Sequence, residues 1–285
     1  MRRRLKPIVI VVFFALFGLL LVIGKNHSDG LRKQQLASAK ASIPTMSSSS
    51  TTPTTTSTSE TDEEFVLNPI IDVSGWQLPN EIDYDTLSQN ISGAIVRVYG
   101  GSQISKDSNA AYTTGIDKSF KKHIKEFQKR NVPVAVYSYA LGKSVKEMKN
   151  EARTFYENAS PYKPTFYWID VEEATMSDMN KGVQAFLSEL KRLGAEKVGI
   201  YIGTYFMTEQ EISVDGFDAV WIPAYGSDSG YYDAAPQTDL DYDLHQYTSQ
   251  SYLGGFDSAL DLNQIAVTKD RKETYEKLFG KADNK

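Results

Sequence analysis

From residue 65 onward, short apolar segments alternate with longer polar or amphipathic ones. Eight segments rich in β-branched, aliphatic or aromatic residues predict β-strands. Several are continuously apolar, as expected for parallel strands buried on both faces. The eight predicted strands span residues 69–74, 93–100, 133–140, 165–172, 197–204, 219–226, 243–249 and 260–267.

Three of the intervening segments, residues 116–130, 143–158 and 177–193, have the apolar spacing of amphipathic helices. Ser177 is a plausible N-cap of the third helix, and Gly194 a plausible C-terminal stop. The helical pattern fades after the sixth strand. This alternation predicts an α/β fold, an irregular (β/α) TIM-like barrel of eight strands in which the last strands lack regular helices. A doubly wound open sheet is the alternative.

The N-terminal region has a different pattern. Basic residues in the first six positions precede an uncharged apolar run of 17 residues, from Ile8 to Gly24. This length is at the lower limit for a membrane-spanning helix, and the preceding positive charge predicts a cytoplasmic N-terminus. Residues 1–33 are therefore predicted to form a basic cytoplasmic tip and a transmembrane signal anchor, which would place a single-pass protein in the cell membrane with its C-terminal domain outside. Cleavage of a signal peptide and secretion is the alternative.

Between this region and the first strand the chain is dominated by Ser and Thr. Residues 34–64 lack a periodic apolar pattern and are predicted to be a disordered linker. The predicted barrel then occupies residues 65–270, and residues 271–285 are interpreted as a charged tail.

The amino-acid composition limits the kinds of catalytic and metal site that the chain can form. The chain has no cysteine and three histidines, which excludes disulfides, a thiol nucleophile and cysteine-ligated zinc, and argues against a multi-histidine metal site. No metal or other cofactor is expected. The net charge is −5, but residues 1–33 carry a net +6 and the rest therefore −11. An acidic body argues against nucleic-acid binding.

Candidate catalytic carboxylates lie where predicted strands end, the position of active sites in barrels of this type. Asp170 and Glu172 follow a buried apolar run, and their i, i+2 spacing places them on one face of a strand. Two carboxyls this close in a partly dry cleft should raise the pKa of one, which can then donate a proton while the other stays anionic. Glycosidic bond cleavage needs this division of roles. Asp72 lies near the end of the first predicted strand and Asp261 near the beginning of the eighth; capping roles, or a Ca²⁺ or Mg²⁺ site, remain alternatives for these oxygens.

The body resembles the family 25 glycoside hydrolases, the Chalaropsis-type lysozymes of autolysins and endolysins. The likeness runs from about Pro69 to Val267 and rests on motifs in family order. These are IDVSGWQ (71–77) followed by IDYDTL (82–87), AIVRVYGG (94–101), VAVYSYA (134–140), the D-x-E at 170–172, WIPAYG (221–226), HQYTS (245–249) and LDLN (260–263).

This resemblance implies a barrel that hydrolyses the β-1,4 bond between N-acetylmuramic acid and N-acetylglucosamine in peptidoglycan glycan strands. It implies Glu172 as proton donor, Asp170 as the group that orients or stabilises the transition state, and Asp72 and Asp261 as the acidic floor. The sugar groove would be lined by Tyr139, Trp221, Tyr225 and Gln246. A monomer is expected.

Two other functions are open to this sequence. A chitinase-type hydrolase would place a further Asp two positions before Asp170, and Trp168 at that position counts against it. The other is a catalytically silent wall-binding module tethered to the membrane.

Overall fold

The computed structural model describes residues 65–101 and 105–280. The predicted anchor and the Ser/Thr-rich linker lie outside these residues. Within them, no helix combines the length and the apolar character needed to cross a membrane.

Eight strands close into a barrel in chain order, which confirms the predicted fold and excludes the open sheet. They are β1 (Ile70–Val73), β2 (Gly93–Tyr99), β3 (Val134–Tyr139), β4 (Tyr167–Val171), β5 (Val198–Ile202), β6 (Ala219–Pro223), β7 (Leu244–Ser251) and β8 (Leu260–Ile265). Each overlaps one predicted segment.

Helices cover the first part of the barrel and become short or absent after β5. They are α1 (Tyr84–Leu87), α2 (Phe120–Lys129), α3 (Val145–Ala159), α4 (Met179–Leu193), α5 (Thr204–Glu209) and α6 (Arg271–Phe279), with a 3₁₀ turn at Ser160–Tyr162. The three predicted helices correspond to α2, α3 and α4. The N-cap of α4 is Asp178 and not Ser177, because the Asp178 carboxylate accepts a hydrogen bond from the Lys181 N–H. Gly194 ends α4 as predicted, with a left-handed φ of 106°.

Strands β1 to β7 run parallel, whereas β8 is antiparallel to both β7 and β1. Parallel neighbours need a crossover of a dozen or more residues, and only residues 252–259 separate β7 from β8. The short connection therefore forces β8 to return antiparallel. As a result the carboxyl ends of β1 to β7 and the beginning of β8 share one face of the barrel, termed here the catalytic face.

The barrel interior is filled by large side chains. Trp168 stacks on Phe166 at 4.7 Å between ring centroids and meets Trp221 edge-on at 5.6 Å. Gly199 on the neighbouring strand makes room for this ring, since a Cβ there would lie 2.3 Å from the Trp168 indole. The interior is a packed core, so the space open to a ligand lies above it at the catalytic face.

At the opposite end of the barrel, α6 packs against the interior. Leu278 and Phe279 are buried within the same apolar cluster as Trp168. The Tyr275 hydroxyl donates a hydrogen bond to the Ser92 carbonyl at 2.6 Å. Residues 271–279, interpreted from their charge as part of a tail, thus form a helix that covers one end of the barrel.

Candidate active site

An open cleft of about 440 Å³ lies at the catalytic face. It contains all four predicted carboxyls, carried by or directly after β1, β4 and β8. Its lining residues are Asp72, Tyr137, Asp170, Glu172, Tyr201, Trp221, Tyr225, Gln246 and Asp261. None of these is a lysine or arginine, so the cleft is acidic.

Strand register explains how residues distant in sequence meet here. Asp72 on β1 pairs directly with Asp261 on antiparallel β8, and side chains directly opposite one another are close neighbours. Asp170 on β4 pairs with Tyr139 on β3 and with Tyr201 on β5. Neighbouring strands thus bring the acids and the tyrosines to the same level of the barrel.

Asp170 and Glu172 have different surroundings. Asp170 is buried, and one of its carboxyl oxygens has no hydrogen-bond partner within the described part of the chain. Glu172 follows the last residue of β4 and is exposed. Burial, followed by the Glu172 charge, raises the pKa of Asp170 well above its usual value. Although the Glu172 side chain is exposed, its carboxyl is partly desolvated where it faces the cleft, which raises its pKa, while the interaction with Asp170 opposes this shift. Because ionisation of either carboxyl disfavours ionisation of the other, the pair favours holding one proton.

Asp72 is held by two amides. Gln246 Nε2 and Asn263 Nδ2 donate hydrogen bonds to Asp72 Oδ2 at 2.9 and 2.8 Å. Both bonds favour the anion, but burial outweighs them and raises the pKa of Asp72 to about 6. No side chain within the described residues donates a hydrogen bond to Asp261. Burial and the charges of Asp72, Asp228 and Glu172 raise the pKa of Asp261 to about 8.

Gln246 links the acids to the tyrosines. Its Oε1 accepts hydrogen bonds from the hydroxyls of Tyr201, at 2.7 Å, and Tyr225, at 2.8 Å, while its Nε2 donates to Asp72. With the oxygen engaged by two hydroxyls and the nitrogen by a carboxylate, the orientation of this amide is fixed. Gln246 is buried and orders the floor of the cleft.

Of the four residues predicted to line the sugar groove, Trp221, Tyr225 and Gln246 line this cleft and Tyr139 does not. The Tyr139 hydroxyl donates a hydrogen bond of 2.7 Å to Glu173, the neighbour of Glu172. Tyr139 therefore lies beside the cleft, next to the residue pair that follows β4.

Three further residues of the site, Tyr137, Tyr201 and Asn263, were not predicted. Tyr137 and Tyr201 line the cleft, and Asn263 holds Asp72. Asn263 is two residues from Asp261 on the same strand, so period-two alternation places both on one face. That signal was present in the sequence. The tyrosines follow only from the strand register.

A Ca²⁺ or Mg²⁺ site was the alternative interpretation of the carboxylate oxygens. Across residues 65–101 and 105–280, no three His, Asp or Glu side chains are arranged so that they could hold a metal ion.

Comparison with known proteins gives consistent matches. The family model for glycosyl hydrolases family 25 matches residues 71–256. A glycosyl hydrolase 25 of Streptococcus pneumoniae, described as a virulence factor participating in host cell invasion, is 57% identical over 75% of this chain and 94% of its own, with a TM-score of 0.74.

Two more distant structures share the fold. The catalytic domain of endolysin ply40 from Listeria monocytogenes bacteriophage P40 is 25% identical over 75% of this chain and 98% of its own, with a TM-score of 0.63. A lysozyme from Streptomyces coelicolor is 16% identical over 77% of this chain and 100% of its own, with a TM-score of 0.56. No curated protein sequence matched the chain.

Proposed function

The chain belongs to family 25 of the glycosyl hydrolases and is a glycoside hydrolase, and from this we propose that its substrate is peptidoglycan. We further propose that it cleaves the β-1,4 bond between N-acetylmuramic acid and N-acetylglucosamine. The relative named an endolysin, at 25% identity, supports the choice of polymer. The observation that carries the proposal is an exposed glutamate beside a buried aspartate in a cleft with two further acids.

In this proposal Glu172 delivers the proton. It is exposed at the end of β4, where a glycosidic oxygen can reach it, whereas Asp170 is buried beneath it. The proton held by the pair passes to the leaving oxygen through Glu172. Asp170 then remains as an anion below the sugar ring, where positive charge develops in the transition state as the glycosidic C–O bond breaks. Water adds to the anomeric carbon and gives up a proton to the carboxyl pair, which restores the acid.

Asp72 and Asp261 form the rest of the acidic floor. Their paired positions on β1 and β8 place two further carboxyls, with the negative charge of ionised Asp72, across the barrel from β4. The amides of Gln246 and Asn263 fix the Asp72 carboxyl, so this charge is preorganised before substrate binds.

The bond that is cut can be tested by the products. Digestion of purified peptidoglycan should release fragments with N-acetylmuramic acid at the reducing end, identified by borohydride reduction and mass spectrometry. Reducing-end N-acetylglucosamine would contradict the assignment of the bond while leaving hydrolysis itself intact.

A silent wall-binding module is the alternative, and a zymogram separates the two. A clear zone in a gel containing purified cell walls is expected from the enzyme. Binding to walls without any clearing would favour the alternative, although the acidic cleft is complete in this structure.

We also propose that the enzyme acts as a monomer outside the cell, held to the membrane by residues 8–24. The uncharged apolar run after a basic N-terminus supports this topology. Protease added to wall-stripped cells should release a soluble, active fragment. Protection of the catalytic domain from protease would contradict the topology, and recovery of all the protein in the medium would indicate cleavage.

A further inference from the structure

Exposed aromatic side chains are concentrated on one face of the barrel. Within the described residues, the exposed large hydrophobic side chains comprise six aromatics and two valines. Each aromatic lies on a segment that follows the carboxyl end of a strand, whereas Val66 precedes β1 and Val267 follows β8. Five of them, Trp76, Tyr112, Tyr205, Tyr231 and Tyr252, therefore belong to the catalytic face, and none of these lines the cleft. The sixth, Tyr232, packs against His245 and Tyr247 on the outer side of β7.

These aromatics form two groups. The first patch is Trp76 after β1 and Tyr112 after β2. Their segments are in contact, because a Cβ on Gly75 would lie 2.3 Å from the Ala110 carbonyl oxygen. The second patch is the set that follows β5, β6 and β7, namely Tyr205, Tyr231 and Tyr252. Gly230 similarly lies against the backbone of Gln250 and Ser251, which brings Tyr231 and Tyr252 to one region.

The two patches flank the catalytic carboxyls. In a closed barrel of eight strands, β4 lies opposite β8. Glu172 and Asp170 on one side and Asp261 on the other therefore define a line across the catalytic face. This line separates the loops after β1 and β2 from the loops after β5, β6 and β7. A chain-like ligand that crosses the line over the cleft meets one patch on each side.

The first patch is held in place before any ligand binds. The Gly75 N–H donates a hydrogen bond of 2.7 Å to the buried Asp117 carboxylate. The imidazole Nε2–H of buried His123 donates to the Ser74 carbonyl at 3.1 Å, while His123 Nδ1 accepts from the Tyr84 hydroxyl. The backbone leading to Trp76 is thus fixed, although its ring is 60% exposed.

The side chains at the catalytic face indicate which class of ligand it binds. Aromatic faces stack well on the apolar faces of sugar rings. The cleft has no lysine or arginine, and residues 224–243 carry five aspartates and no basic residue. The cleft and the second patch therefore lack the basic side chains that nucleic acids and anionic membranes require, whereas in the first patch Lys118 Nζ lies 5.0 Å from the centroid of the Tyr112 ring. A polysaccharide, whose sugar rings present apolar faces to aromatic side chains, fits the aromatic character of the two patches.

We propose that the two patches bind the glycan strand of the substrate outside the cleft, so that the strand crosses the catalytic face from the loops after β1 and β2 to those after β5, β6 and β7. This inference rests on the proposed function, since it takes the same polymer as ligand. It assigns to the aromatics a role in holding long chains and none in bond cleavage.

Sedimentation with purified peptidoglycan sacculi tests the proposal. The full chain carrying Glu172→Gln is used, so that the sacculi remain intact. In this background, Trp76→Ala with Tyr112→Ala disrupts the first patch, and Tyr231→Ala with Tyr252→Ala disrupts the second. Each pair should weaken binding about tenfold. The matched control, Val66→Ser with Val267→Ser, removes exposed apolar side chains away from the catalytic face and should leave binding unchanged.

A second measurement separates the patches from the cleft. With Glu172 restored, both aromatic pairs should cleave a short soluble glycan, a tetrasaccharide of alternating N-acetylglucosamine and N-acetylmuramic acid, at the parent rate. Trp76→Phe with Tyr112→Phe should restore binding to sacculi. Unchanged binding in either alanine pair, or an equal loss on the tetrasaccharide, would overturn the inference. Failure of the parent enzyme to degrade sacculi would instead refute the proposed function.

Discussion

Asp261→Asn should stabilise the catalytic domain at alkaline pH. Burial and three neighbouring carboxylates raise the pKa of Asp261 to about 8 in the folded protein, whereas an unfolded chain gives Asp its ordinary value near 3.8. Because the pKa of Asp261 is higher in the folded protein than in the unfolded chain, protonation of this carboxyl stabilises the folded protein. That stability is fully present below the unfolded pKa and is lost as the pH rises towards 8. Asparagine keeps the shape and carries no charge to lose.

The expected gain in stability can be calculated from the difference between the folded and unfolded pKa values of Asp261. Each pH unit within this window costs up to about 1.4 kcal/mol per carboxyl. Because Asp261 is partly accessible to solvent and shares its effect with Asp72, we expect a gain of about 1–3 kcal/mol in the free energy of unfolding at pH 8. The gain should vanish by about pH 4. At and above pH 8, where Asp261 is ionised, activity should fall because the acidic floor loses a charge.

Urea denaturation at several pH values measures this difference. The matched control is Asp239→Asn, an exposed aspartate on the segment between β6 and β7, which should leave the pH dependence unchanged. A variant that is no more stable than the parent at pH 8, or one whose gain is the same at pH 4 and pH 8, would refute the reasoning about the acidic floor.

Two further predictions concern the side chains around the acids. Gln246→Leu removes the acceptor of two tyrosine hydroxyls and a donor to Asp72, so the free energy of unfolding should fall by about 2–4 kcal/mol, and an unchanged urea midpoint would contradict this. Glu173→Gln removes a charge that raises the pKa of Glu172, so the alkaline limb of the pH–rate profile should move to lower pH and the rate on that limb should fall about two- to threefold. An unmoved profile in Glu173→Gln would exclude Glu173 from tuning the acid.

Local sequence patterns were sufficient to predict the eight strands and the proximity of Asp170 and Glu172. Period-two and period-3.6 signals placed all eight strands and the three long helices that follow β2, β3 and β4. The D-x-E spacing after an apolar run placed Asp170 and Glu172 together, and the structure finds both in one cleft. These features depend on neighbours within a few residues, which is what a sequence pattern records.

Two features carried a signal that the prediction did not use. The connection between β7 and β8 is too short for a parallel crossover, so the reversal of β8 could have been inferred. Tyr275, Leu278 and Phe279 have the spacing of one helical face, which indicates a helix within the segment interpreted as a charged tail.

The hydrogen-bond network of the site could not be predicted. Gln246 bonds to Tyr201 across 45 residues and to Asp72 across 174. Such contacts depend on the barrel register and on side-chain rotamers, and no local pattern contains them. The inward positions of Tyr137 and Tyr201 and the displacement of Tyr139 towards Glu173 follow from the same closure of the barrel.

The most direct test of the central claim is the rate at which Glu172→Gln clears purified cell walls. Glutamine keeps the shape of the side chain but has no proton to transfer, so we expect a loss of about 10²–10⁴-fold with the urea midpoint of the parent retained. Glu173→Gln, the same substitution one residue later, should keep most of the activity at the pH optimum. Clearance by Glu172→Gln at the parent rate would contradict the assignment of Glu172 as the proton donor.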